Sequence, residues 1–287
     1  MEWLKQLSQA IDYIEDNLAG EISLDEAAKI ACCSTYYFQR MFSYVAGIHL
    51  SEYIRRRRMT LAAFELQTSS QKVMEIGLKY GYESPTAFNR AFQSVHGAAP
   101  TAARLQGTAL QAYPRLRFSI AVTGEDAVHY RIEIKALFRV VGIKIALHAD
   151  IEQNFEIVPR FWQTTRSQKV FQQICSLNDQ PPCGVLGVTV YQNPGDIYYY
   201  IAAATDKNVP DNLFVQEIPS ATWVIFECNG AYPISIQNVF RHFLTEWLPF
   251  SGYTYAELPD IEVYPINPQY QKNPKAEVWI AVKKPND

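Results

Sequence analysis

Ser34-Thr35-Tyr36-Tyr37-Phe38-Gln39-Arg40-Met41-Phe42 reads as a short capped helix. Serine is a strong N-cap, because its hydroxyl accepts a hydrogen bond from an orphan amide of the first turn. Phe38 and Phe42, four residues apart, form a seam that calls for burial, and Tyr36, Gln39 and Arg40 fall on an edge expected to be exposed. Fifty positions on, the chain repeats itself without a gap: Lys29, Ser34, Phe38, Arg40, Phe42, Val45 and Gly47 recur as Lys79, Ser84, Phe88, Arg90, Phe92, Val95 and Gly97. A fixed period of this kind marks two copies of one supersecondary unit.

Outward from that stretch the helical signals continue. Trp3, Leu4, Leu7, Ile11, Ile14 and Leu18 recur at helical spacing and stop at Gly20. Ser23-Leu24-Asp25-Glu26 matches a capping box and starts a helix to about Ile30, with the small residues Ala31, Cys32 and Cys33 suited to the tight turn before Ser34. Leu50 to about Leu66 predicts a linker helix of roughly 26 Å at 1.5 Å per residue. It contains the run Arg55 to Arg58, read as one phosphate contact and one internal ion pair against a plain solvated face. A helix over Val73–Lys79, a turn at Tyr80-Gly81-Tyr82 and a start at Ser84-Pro85 complete the second copy. The expected fold of this part is all-α, a tandem helix-turn-helix.

After Arg104 the helical period is lost, and Gly107 to Val128 with Pro114 and Gly124 reads as a linker. Beyond it, strand-like runs at Tyr130–Lys135 and Phe138–Leu147, a helix around Phe155–Ile174, and strands at Val185–Tyr191 and Tyr198–Ala204 are followed by the same order again. The second series is Phe214–Ile218, Thr222–Cys228, a helix near Ile234–Trp247, Asp260–Tyr264 and Glu277–Lys283. Duplicated β-β-α-β-β halves predict an α+β domain. The chain is thus divided into residues 1–106, a linker over 107–128, and residues 129–287.

At 287 residues two domains are expected. The five cysteines Cys32, Cys33, Cys175, Cys183 and Cys228 form no CxxC pair and no Cys/His cluster, so neither zinc nor a disulfide framework is indicated and a reducing cytoplasm fits; no metal and no cofactor are expected. No apolar run approaches the roughly 18 residues of a membrane span. Net charge is −3, and up to Arg104 eleven Lys and Arg balance eleven Asp and Glu, so duplex binding there rests on the arrangement of charge rather than on its excess.

A major groove admits one helix, read through side chains near its N-terminal half. In the first unit Thr35, Tyr36, Gln39 and Arg40 occupy that place; in the second Ser84, Thr86, Asn89 and Arg90 do. Gln and Asn amides match adenine, and an arginine fork matches guanine. Each arginine alone reads more readily as a solvated residue of an amphipathic helix; the repetition of cap, seam and arginine favours DNA.

The residues Ser23-Leu24-Asp25-Glu26-Ala27-Ala28, Ser34 to Phe42, Gly47, Tyr53-Ile54-Arg55, Ile76 to Phe92, Gly97 and Pro100 resemble the AraC/XylS family of bacterial transcription regulators, in the form that places the DNA-binding domain first. The resemblance implies double-stranded promoter DNA as partner, two units entering successive major grooves about 34 Å apart, and RNA polymerase as a further partner. Where the family usually has proline this chain has His49 or Leu50, and Pro85 and Ala87 replace polar residues that other members aim at DNA.

Tyr130-Arg131-Ile132-Glu133, Phe138 to Ile143, Phe161-Trp162, Leu258 to Pro265 and Ala276 to Val282 resemble the gyrase-inhibitor-like effector-binding domain of multidrug-sensing regulators. By strand alternation Glu262 shares a face with Tyr264, and Glu277 with Trp279. A carboxylate framed by Tyr191, Trp223, Tyr264 and Trp279, with Trp162 from the helix, would suit an aromatic or hydrophobic cation through cation–π contacts. A strand whose glutamate faces water is the plain alternative, and the resemblance favours the pocket, with Glu262 and Glu277 as acids. The expected function is a ligand-responsive transcription regulator of the activator kind, not an enzyme. A C-terminal hydrolase, or a protein-binding module for gyrase or RNA polymerase, is the other reading; no Ser-His-Asp or Cys-His arrangement is legible.

Overall fold

The repeat at the N-terminal end becomes a pair of matched helix-turn-helix units. The computed structural model describes residues 2–118, 129–149, 151–193, 196–232, 234–266 and 275–284. The chain divides into two compact units, Met1–Ile120 and Ala121–Asp287. In the first, α1 (Glu2–Asp16), α2 (Leu24–Ile30) and α3 (Thr35–Ala46) form one helix-turn-helix half, α4 (Leu50–Thr68) is the connecting rod, and α5 (Val73–Lys79) with α6 (Pro85–His96) forms the other.

The duplication extends to the caps. Ser34 Oγ accepts from the amide of Tyr37 at 3.3 Å and Ser84 Oγ from that of Ala87 at 3.1 Å. Both helices end on a left-handed glycine, Gly47 (φ 69°) and Gly97 (φ 71°). The capping box at α2 is only half made: Ser23 Oγ accepts from Glu26 N at 3.2 Å, but the Glu26 carboxylate turns to Lys29 Nζ at 2.6 Å. Phe38 and Phe42 pack with Leu7, Ile11, Ile14 and Leu18, while Phe88 and Phe92 pack with Met59, Leu66 and Ile76. The two seams therefore nucleate two separate cores along one rod.

The arginine run on α4 is taken up by intramolecular partners. Arg57 grips Glu15 at 2.8 Å with both side chains nearly buried. Burial alone would raise the Glu15 carboxyl, yet hydrogen bonds from Arg57 and Tyr53 hold it below its ordinary value. Arg58 donates to the carbonyls of Leu18 (3.1 Å) and Gly20 (2.6 Å), and Arg55 and Arg56 both pair with Glu52.

Residues 108–118, read from the sequence as part of a linker, instead lie along the rod. Leu110 and Tyr113 pack on the second core, and Leu116 and Phe118 on the first. The segment joins α6 through His96, whose Nε2 donates to Met59 O (3.0 Å) while Nδ1 accepts from Gln111 N (3.2 Å). Only the neutral ring can do both. Burial accordingly depresses the imidazole pKa against those two hydrogen bonds. The sign follows: the unfolded chain takes up the proton first, so stability is intact above about pH 6.5 and is lost as pH falls through that value toward the lower folded one. Thermal unfolding between pH 7 and 5 should therefore fall more steeply for wild type than for His96→Gln, whose amide offers the same donor and acceptor without titrating; parallel curves would remove His96 as the cause.

In the second unit the strands are β1 (Tyr130–Lys135), β2 (Phe138–Ala146), β3 (Val185–Asn193), β4 (Asp196–Ala204), β5 (Phe214–Ile218), β6 (Ala221–Glu227), β7 (Thr254–Tyr255), β8 (Asp260–Tyr264) and β9 (Glu277–Lys283). The helix expected over Phe155–Ile174 is two, α7 (Ile151–Arg166) and α8 (Lys169–Leu177), parted where Ser167 and Gln168 bond three residues back, to Thr164 O and Thr165 O. The other helix, α9 (Ile234–His242), runs on through a π turn at Phe243–Trp247.

All strands form one sheet in the order β1-β6-β9-β8-β3-β4-β2-β5, with β7 added on β9. The order is the same read from either end once β1–β4 are exchanged for β5, β6, β8 and β9, so the two β-β-α-β-β halves are related by a pseudo-two-fold between β3 and β8. Each half lends its first strand to the other: β1 pairs with β6, and β5 with β2. When the turns Ala136-Leu137 and Pro219-Ser220 are superposed and the registers carried through, Gly187 on β3 becomes the counterpart of Glu262 on β8, and the two residues are direct partners. One face of the sheet carries a continuous core including Val140, Leu186, Val188, Tyr200, Trp223, Ile261 and Trp279.

Candidate nucleic-acid interface and effector site

The second helix-turn-helix unit presents its edge as expected: Ser84, Thr86 and Arg90 are exposed and Asn89 half-buried. The first does not. Tyr36, Gln39 and Arg40 are only 5, 9 and 6 % exposed, which corrects the expectation of an open edge on α3. Part of the reason is local. Arg40 Nε donates to Tyr44 Oη at 3.2 Å with the guanidinium 5.5 Å from that ring's centroid, Gln39 Nε2 reaches Thr35 O at 3.4 Å, and Tyr36 meets Tyr37 edge to face. Thr35 Oγ1 donates to Asp25, tying the start of α3 to α2.

On the C-terminal sheet the carboxylates separate. Glu262 faces Gly187 on β3 and Val278 on β9, whereas Glu277 faces Val263. Cross-strand partners share a face, so the two acids point to opposite sides of the sheet. Glu277 is bound by Arg131, at 2.7 and 3.0 Å, and by Trp279 Nε1 at 2.8 Å. Trp223 and Trp279 are buried in the core of that face with ring centroids 6.2 Å apart. The expected frame is therefore divided, with Glu277, Trp223 and Trp279 on the face of the sheet opposite Glu262. Tyr191 shares the face of Glu262 but lies four residues from Gly187, about 13 Å along the strand.

Around Glu262 an aromatic frame is built from both halves. Tyr199 Oη (2.7 Å) and Tyr264 Oη (2.9 Å) both donate to Glu262 Oε2, and Trp162 Nε1 donates to Tyr199 Oη at 2.9 Å. Trp162, on α7, meets Tyr264 edge to face at 4.9 Å, and Tyr232, just before α9, meets the same ring at 5.3 Å. Burial, and then the Glu262 charge, push both tyrosines well above the usual phenol value, so they remain donors. A side chain at 187 would stand 2.1 Å from Tyr199 Oη and 2.7 Å from Glu262 Oε2; the missing Cβ makes the room. Glu262 itself is half-buried. The Cys228 thiol is buried and pushed up to about 12, by desolvation and then by Glu262 and Glu277.

Tyr199 and Tyr232 were not legible as site residues. Tyr198-Tyr199-Tyr200 alternates across the sheet, and only the glycine opposite Glu262 marks which ring turns toward the acid. Among the described residues, no three His, Cys, Asp or Glu side chains cluster to hold a metal, and no helix is long and apolar enough to cross a membrane.

Two helix-turn-helix units on one rod, carried in the same chain as an α+β domain with an acid set among aromatic rings, define a DNA-binding regulator with an effector domain. The chain belongs to the AraC-type helix-turn-helix regulators and, through residues 131–282, to the integron-associated effector binding protein family; a helix-turn-helix domain model matches residues 27–106. It is 39% identical over 102 residues to the transcriptional activator AarP of Providencia stuartii, covering 36% of this chain and 76% of that one. It is 34% identical over 101 residues to the regulatory protein SoxS of Escherichia coli, covering 35% of this chain and 94% of that one. Among solved structures, SAV2435 bound to tetraphenylphosphonium is 23% identical with a TM-score of 0.47, over 54% of this chain and 94% of that one.

Proposed function

We propose that the chain is a transcription activator that recruits RNA polymerase and answers to a lipophilic organic cation. Ser84, Thr86, Asn89 and Arg90 of α6, and Thr35, Tyr36, Gln39 and Arg40 of α3 once the last three turn out of their packed positions, read successive major grooves, and the cation packs beside Glu262 on the rings of Trp162, Tyr264 and Tyr232. The observation that carries the effector reading is a half-buried carboxylate whose charge is met by two phenol donors and whose surroundings are aromatic. Such a frame favours a diffuse positive charge on an apolar body, each ring adding roughly 0.5–2 kcal/mol.

Tetraphenylphosphonium, a permanent aromatic cation, is a suitable probe. Titration of the full chain should quench tryptophan fluorescence through Trp162, and Trp162→Phe should remove most of the signal; no quenching would overturn the cation reading. An electrophilic ester hydrolysed by wild type and not by Glu262→Gln would replace the sensor with an enzyme.

For DNA, Arg40→Ala and Arg90→Ala should each weaken binding to a duplex selected by the wild-type chain by about ten- to a hundredfold, the value of one good bidentate base contact. The loss should be sequence-specific, leaving the salt dependence of non-specific binding nearly unchanged. Unchanged affinity in either variant would remove that helix from base readout.

A further inference from the structure

Eleven residues that carry no helix or strand make a closed circuit with the rod. Leu116 N donates to Tyr53 Oη (3.2 Å), Tyr53 Oη donates to Glu15 (2.6 Å), Glu15 accepts from Arg57 (2.8 Å), and Arg57 Nη1 returns to Tyr113 O (2.6 Å). Tyr113 N donates to Thr60 Oγ1 at 3.0 Å and its ring lies 4.9 Å from the Arg56 guanidinium. At one end Thr108 Oγ1 holds Ala102 O at 2.7 Å and Gln111 N holds His96 at the end of α6; at the other Arg115 pairs with Asp12 on α1. Leu110 and Tyr113 enter one core, Leu116 and Phe118 the other.

We propose that residues 108–118 are a brace of the DNA-reading unit, fixing the separation and angle of α3 and α6 and so setting the half-site spacing that the chain accepts. Without it the two cores communicate through α4 and the few side chains between them. A single helix about 28 Å long bends and twists easily. A second tie running alongside and anchored in both cores turns that rod into a truss. The side chains that hold the brace, Tyr53, Arg57, Thr60 and His96, are then positioning residues: they touch no base, and they act through where the reading helices stand. This inference rests on α3 and α6 being the base readers.

The test uses the full chain and a duplex selected in vitro by wild type, with a second duplex carrying two extra base pairs between the two contacted grooves. Wild type should lose at least tenfold in affinity on the longer duplex. Leu110→Ser/Leu116→Ser should bind the parent about fivefold more weakly and distinguish the two duplexes by less than twofold. Thr60→Val, which keeps the helix and the volume and removes one anchor, should move the ratio in the same direction by a smaller step and guards against a folding defect in the double variant. Wild-type discrimination retained in both variants overturns the brace alone. A wild-type chain that selects no duplex overturns the DNA reading and the brace together.

Discussion

Glu262→Gln should cost the full chain about 2 kcal/mol of affinity for the cation probe, roughly a thirtyfold rise in Kd. Removing one partner of a desolvated charge pair typically costs about 2–5 kcal/mol, and the low end applies because Glu262 is half-buried rather than sealed. The amide keeps the volume and still accepts from Tyr199 and Tyr264, so the change isolates the charge. An uncharged aryl phosphine oxide of similar size should bind wild type and variant within about twofold. Equal losses for the charged and uncharged compounds would mean that the variant has collapsed the frame. No loss for either would take the acid out of the site.

Gly187→Ala is expected to damage both stability and the site. Its Cβ would stand 2.1 Å from a phenol oxygen that is buried and bonded to both Trp162 and Glu262. Moving the ring aside would strain or break those bonds. Overpacking of this kind costs typically 1–3 kcal/mol; 2 kcal/mol corresponds to a drop of about 6 °C in Tm for a domain of this size. Cation affinity should fall along with it, because Glu262 loses a donor and shifts. An unfolding midpoint equal to that of wild type would show that the notch has slack and that Tyr199 is not held there.

Much of this architecture is written in local signals. The caps Ser34 and Ser84, the phenylalanine seams and the alternation of the strands each act within one turn or one ladder, and short-range chemistry survives in the chain as pattern. What the strands do to one another is a different matter. Alternation places Glu262 with Tyr264 and Glu277 with Trp279, but a shift of one residue in pairing between β8 and β9 decides whether the two acids meet or part. Nothing within either strand encodes that parity. Tyr199 was hidden for the same reason. The burial of Tyr36, Gln39 and Arg40 was equally illegible, since the same residues satisfy a groove-facing pattern and an inward-packed one. The brace carries neither a helix nor a strand period: Leu110, Tyr113 and Leu116 fall three apart, and the backbone bonds of Tyr113 and Leu116 to Thr60, Arg57 and Tyr53 are what tie them to the rod.

The Gly187–Glu262 pair sits where the two halves of the sheet meet their own mirror in sequence. Two identical chains related by a true dyad must place the same residue on both sides of it, either two acids that repel across a few ångströms or two glycines with no charge at all. Fusion of the copies into one polypeptide lifts that restriction, and each side of the axis is then free to differ. One side of the axis carries the acid, and the other carries a glycine whose missing side chain leaves room for it. A single negative charge at the centre of a symmetric scaffold is thus an arrangement open to a tandem duplicate and closed to a homodimer.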